Sequence, residues 1–178
     1  MATTKSNSKP KSASAKQVAT AYFDAIRKRD LDGMVAVWKP GTTDYLYGFG
    51  DLKVPQDLRT WFGAMFRAFP DFDMTVTDMV AYGNKAAVRW QATGTFTGEE
   101  KFQGLSATGA SVKIEGLDLL TIEDGQIVEN RAYTDASEMA RQLGAMPPQG
   151  SIGEKAMLGM VNARTNAVGM LKRARERR

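Results

Sequence analysis

Apolar residues recur at helical spacing through the first seventy positions and at alternate positions through the next sixty, which predicts helices followed by a sheet. Ser14 with Gln17 forms a capping-box pattern ahead of Val18, Ala21, Tyr22, Ala25 and Ile26, which lie on one helical face. Asp30 is placed to cap a second short helix carrying Leu31, Met34, Val35 and Trp38 and ending before Pro40-Gly41. Asp44 to Phe49 alternates, with Tyr45, Tyr47 and Phe49 on one face, and reads as a strand. Pro55 opens a third helix whose stripe of Leu58, Trp61, Phe62, Met65, Phe66 and Phe69 runs to the stop at Pro70.

From there the period is two. Strands are predicted at 72–82, 86–96, 111–122 and 126–134, with a turn at Gly83-Asn84 and a glycine-rich loop over 97–110. Asp124-Gly125 is a tight-hairpin signal, because glycine supplies the positive φ a primed turn needs. With a two-residue loop, Asp118 would face Arg131, Gly116 would face Tyr133, and one face would hold Asp118, Glu129, Arg131, Tyr133 and Asp135 among apolar neighbours. A longer loop would shift the register by one and send half of these side chains to the other face. A short helix follows, opening at Asp135 and stopping at Gly144. The fold class is therefore α+β: a bent antiparallel sheet packed against three N-terminal helices as a cone with a cavity.

The 178 residues divide into a polar basic arm (1–13), the folded domain (14–146) and a basic tail (147–178) with amphipathic helical character. Residues 1–16 carry +4, residues 151–178 carry +5, and the stretch 17–150 carries −5. The high isoelectric point belongs to the ends, so the folded part is not expected to bind nucleic acid. The basic tail is open to several roles: solvated, cavity-covering, or bound to an anionic surface. The chain has no cysteine and no histidine, which removes disulfides, thiolate chemistry and the commonest metal ligand together. No cofactor is expected. No apolar run matches a membrane span or a signal peptide, and a cytoplasmic location is the expectation.

The motifs FPDF at 69–72, GTFTG at 94–98, ATG at 107–109, EDGQIVE at 123–129 and Asp135-x6-Gln-Leu-Gly, in this order, resemble the SnoaL-like polyketide cyclases. These belong to the nuclear-transport-factor-two-like (cystatin-like) α+β cones, relatives of ketosteroid isomerase and limonene epoxide hydrolase. The resemblance implies a cofactor-independent acid/base enzyme of the aldol cyclase or isomerase type, acting on a small apolar carbonyl compound, and a homodimer. It places an acid/base aspartate at Asp135. Many relatives have histidine where this chain has Phe96 and Asn130.

Each candidate has two readings. Asp135 is either that acid/base or, with Glu138, a helix cap. Asp118 and Arg131 are either a cross-strand ion pair or a set with Asp135 that holds a substrate oxyanion, an arrangement similar to that of the epoxide hydrolases. Trp38, Tyr45, Trp61, Trp90, Phe96 and Tyr133 are the candidate lining for a small apolar ligand and equally candidate core. The competing reading of the whole is a non-catalytic ligand-binding or dimerisation module of the same fold.

Overall fold

The computed structural model describes residues 13–176, so the basic arm expected over 1–13 lies almost entirely outside the described residues. The elements are α1 (Ala15–Arg27), α2 (Leu31–Ala36), β1 (Trp38–Tyr47), β2 (Gly50–Lys53), α3 (Gln56–Ala68), β3 (Asp73–Tyr82), β4 (Lys85–Thr95), β5 (Ser111–Glu123), β6 (Gln126–Thr134), α4 (Ala136–Gln142) and α5 (Ile152–Glu176). Six strands form one curved sheet in the order β2-β1-β6-β5-β4-β3. It is an α+β cone, with α1 lying across β3, β4 and β5 and α3 closing the side toward β2. Among the described residues no helix is long and apolar enough to cross a membrane.

The helix starts follow their local chemistry. The Ser14 hydroxyl accepts from the Gln17 N–H while the Gln17 side chain accepts from the Ser14 N–H, a reciprocal cap. Asp30 caps α2 through the Gly33 N–H. The α3 stripe packs its aromatic rings on one another and on Phe102 from the 97–110 loop.

Four features differ from the sequence expectation. Trp38 begins β1 instead of ending the second helix; it pairs with Ile127 while Thr43 pairs with Glu129, and the chain between bows out of the ladder. Pro40 therefore owes the sheet no N–H. The short strand β2 was not foreseen. The sheet is not wholly antiparallel, since β1 runs parallel to β6.

The fourth difference concerns the hairpin register. Asp124 and Gly125 both have positive φ and make the expected tight turn, with Glu123 facing Gln126 and Ile122 facing Ile127. The next pair is Thr121 with Glu129, so Val128 is an extra residue in β6. Beyond this bulge Asp118 faces Ala132, Leu119 faces Arg131 and Leu117 faces Tyr133. One inserted residue reverses the side on which every later β6 side chain lies. Glu129, Arg131 and Tyr133 go to the outer face, and Asn130, Ala132 and Thr134 turn toward the cone.

Gly116 faces Trp90 across the β4–β5 pair, and a Cβ at this position would run into the indole ring. Gly116→Ala is expected to destabilise the fold by about 1–3 kcal/mol through overpacking, read as a lower denaturant midpoint with an unchanged slope.

Candidate active site

The curved sheet and the helices enclose a cavity of about 80 Å³, room for several waters or for the reacting end of a ligand. Its wall is aromatic and aliphatic, with contributions from Phe23, Phe62, Met65, Phe72 and Ile114. Tyr22, Asp44, Trp90 and Asp118 bring polar groups to it. Each arrives by strand or helix geometry. Tyr22 lies on the buried stripe of α1, and Asp44 shares a β1 face with the buried Leu46. Asp118 shares the buried face of β5 with Leu120, and Asn130 is opposite Asp44 across the parallel pair.

The two carboxyls do not touch each other. Asn130 Nδ2 donates to Asp44 Oδ1 at 3.0 Å and to Asp118 Oδ2 at 2.7 Å. The Tyr22 hydroxyl donates to Asp44 Oδ2 at 3.2 Å, and Trp90 Nε1 donates to Asp118 Oδ1 at 2.8 Å. Asp44 is 1% and Asp118 5% exposed, so both carboxyls have lost nearly all hydration.

Burial penalises the ionised form and pushes both upward. Asp44 is raised to about 8, by burial first and then by the charge of Asp118. Asp118 is raised to about 6 by burial, against which the Trp90 and Asn130 hydrogen bonds pull it down. Asp44 lies the higher of the two because it also bears the charge of Asp118, while Asp118 has the nearer donors. Tyr22 is raised well above its usual range by burial and by Asp44, so it stays a phenol and a donor. At neutral pH the pair is one carboxylic acid and one carboxylate.

The residues named from sequence are dispersed. Asp118 is in the cavity, as are Trp61 and Trp90. Trp38 packs edge-on to Tyr22 in the core, and Phe96 is fully buried and stacked on Phe69 at 5.2 Å. Tyr45, Arg131 and Tyr133 sit on the outer face: Arg131 pairs with Glu129 at 3.1 Å and lies over the Tyr45 ring, while Tyr133 stacks on Tyr47 at 4.6 Å. Asp135 is exposed and caps α4 by accepting from the Glu138 N–H at 2.9 Å. The structure thus brings neither Arg131 nor Asp135 to Asp118. Tyr22 belongs by pattern to the apolar face of the first helix and Asp44 to the start of a strand, while Asn130 is a position where many relatives of the resembled family carry histidine. The signal available for Asp44 was its place on the same strand face as Leu46, opposite the face with the tyrosines. Among the described residues no cluster of three or more carboxylates is placed to hold a metal ion.

The SnoaL-like polyketide cyclase family model matches residues 16–143. The chain belongs to this family. No curated protein shows significant sequence similarity to this SnoaL-like chain. Among solved structures it is similar to a candidate SnoaL-like polyketide cyclase from Jannaschia sp. CCS1, at 22% identity over 79% of this chain and 97% of that one, with a TM-score of 0.67. It is similar to IdmH, a candidate polyketide cyclase from Streptomyces antibioticus, at 28% identity over 74% and 99%, TM-score 0.60. AclR, a candidate hydroxylase from Streptomyces galilaeus, matches at 22% identity over 86% and 95%, TM-score 0.66.

The raised carboxyls set a sign for stability against pH. A carboxyl whose folded pKa lies above its unfolded value holds its proton longer in the native state, so stability falls as pH rises from about 4 to about 8. Asp44→Asn, which imitates the protonated acid, is expected to leave the thermal midpoint nearly unchanged at pH 5. At pH 9 it should gain about 1 kcal/mol or more, seen as a higher midpoint in paired thermal scans.

Proposed function

We propose that this SnoaL-like protein is a cofactor-independent acid/base enzyme of the cyclase or isomerase type, with Asp118 as general base and Asp44 as general acid. The observation that carries this reading is the pair of buried carboxyls on one apolar cavity, bridged by a single amide and driven to opposite protonation states at neutral pH. The substrate is a small apolar carbonyl compound.

Asp118 removes a proton from the carbon beside the carbonyl, and the electron pair moves onto the carbonyl oxygen as an enolate. The Asp44 O–H, with its carboxyl held by the Tyr22 phenol, is the donor that stabilises that oxygen. In an isomerisation Asp118 returns the proton to another carbon. In a cyclisation the enolate carbon attacks a second carbonyl, and the new alkoxide takes the proton of Asp44; exchange with water then resets both groups. The dry wall favours each step, since a carboxylate without hydration is a stronger base.

A second reading, a ligand-binding module without turnover, is supported by the small cavity volume and by the hydrogen bonds that both carboxyls already hold. In either case the exposed Leu117, Leu119 and Tyr133 support pairing of the outer sheet face with a second copy.

Exchange of carbon-bound protons for deuterium in small ketones, followed by NMR, separates these readings. The wild-type protein is expected to accelerate exchange with a bell-shaped profile between about pH 6 and pH 8, because the base must be ionised and the acid protonated. Asp118→Asn should lower the rate by about 100-fold or more. Asp135→Asn should lower it by less than about 3-fold; a loss equal to that of Asp118→Asn would instead make Asp135 the base, and no acceleration by the wild type would favour the binding module.

A further inference from the structure

The last helix, α5, lies beyond the stretch that matches the family model, and only its start is tied to the domain. There the Glu154 carboxylate accepts from the Gly150 N–H at 2.6 Å and pairs with Arg141 at 3.7 Å. Every position from Leu158 to Val168 is exposed, and among the described residues no other element packs along the helix. An isolated helix is marginal in water, because most helical stability in proteins comes from packing an apolar face. Such a face is present. Ala156, Met160, Ala163, Ala167 and Met170 follow one another at spacings of four, three, four and three, all five are exposed, and the exposed Val161 and Val168 border them. A mean spacing of about 3.5 residues keeps a seam turned toward one neighbouring helix. A membrane surface requires no such register, and residues 152–176 contain no tryptophan, phenylalanine or tyrosine to enter it.

Side-chain size and charge select the neighbour. Two α5 helices side by side in parallel would set Met160 on Met160 and Met170 on Met170, leave the alanine layers open between them, and gather the exposed Lys172, Arg173 and Arg175 of both chains at one end. Paired antiparallel about the midpoint between residues 161 and 162, Met160 of each copy faces Ala163 of the other, Ala156 faces Ala167, and Met170 comes to Gly153. Each large side chain then meets a small one. The cations at the end of one α5 reach the other copy's stretch 17–150, which carries −5. We propose that α5 is a self-association helix that pairs antiparallel with the α5 of a second copy through the Ala156–Met170 seam, at an interface separate from the outer sheet face and independent of the acid/base reading.

The chain has no cysteine, so introduced cysteines report without background. Full-length Ala156→Cys and Ala167→Cys chains, mixed and oxidised with copper-phenanthroline, are expected to give the mixed disulfide in about 10-fold excess over the homodimer of either variant, as read by mass spectrometry. In the antiparallel pair the two copies of position 156 are about 16 Å apart along the axis, beyond the reach of a disulfide. Adding Ala163→Glu to both chains, a change exposed to solvent in the single chain but set at the centre of the seam in the pair, should lower the yield of mixed disulfide by about 10-fold. Leu119→Lys on the outer sheet face should alter it by less than about 2-fold. Homodimers as abundant as the mixed disulfide, no cross-linking of the mixture, a yield that Ala163→Glu leaves intact, or a yield that Leu119→Lys removes would each overturn the assignment. Binding of the full chain to phosphatidylglycerol vesicles without any cross-link would overturn it in favour of a membrane surface.

Discussion

One amide nitrogen holds the interior of this cone together chemically. Asn130 Nδ2 donates one hydrogen to Asp44 and the other to Asp118, and without such a donor two carboxyls facing one apolar cavity would repel and desolvate each other. An amide can bridge two carboxyls, but it cannot pass a proton between them under ordinary conditions. The protonated and the ionised carboxyl therefore stay distinct. Tyr22 and Trp90 complete the set from either side, each serving one carboxyl. The result is a continuous chain of hydrogen bonds from α1 through β1, β6 and β5 to β4.

That chain exists because β6 contains one residue more than its partner. The bulge at Val128 lets the Asp124-Gly125 turn keep its tight geometry while Asn130 points inward. In an unbulged hairpin Arg131 would enter the apolar cavity, and its guanidinium would demand both carboxylates as counter-ions. The bulge places the arginine outside, where Glu129 and the Tyr45 ring receive it. The interior keeps a neutral donor, and so the carboxyls keep raised pKa values. A site built on a charge pair would have fixed both as anions.

The main elements were legible from local patterning. The caps at Ser14 and Asp30, the aromatic stripe of α3 and the four long strands all stand within a residue or two of their expected bounds, because each is set by short-range periodicity and capping chemistry. The site was legible only in part. Asp118, Trp61 and Trp90 are in the cavity, while Tyr22 looked like one more apolar position of an amphipathic helix and Asp44 like the polar start of a strand. Their importance comes from contacts made across sequence, Tyr22 with Asp44 over 22 positions and Asp44 with Asn130 over 86, separations that no local pattern reports.

The amino-acid sequence by itself determined the order and type of the elements apart from β2 and the start of β1, the absence of histidine and cysteine chemistry, and the sharp turn at Asp124-Gly125, since all of these depend on neighbouring residues or on composition. Only the tertiary structure decided which side of β6 faces the cone. The physical reason is the period of two along a strand: a single unpaired residue costs the ladder little, yet it exchanges the inner and outer faces, and so it selects Asn130 over Arg131 as the partner of the buried carboxyls.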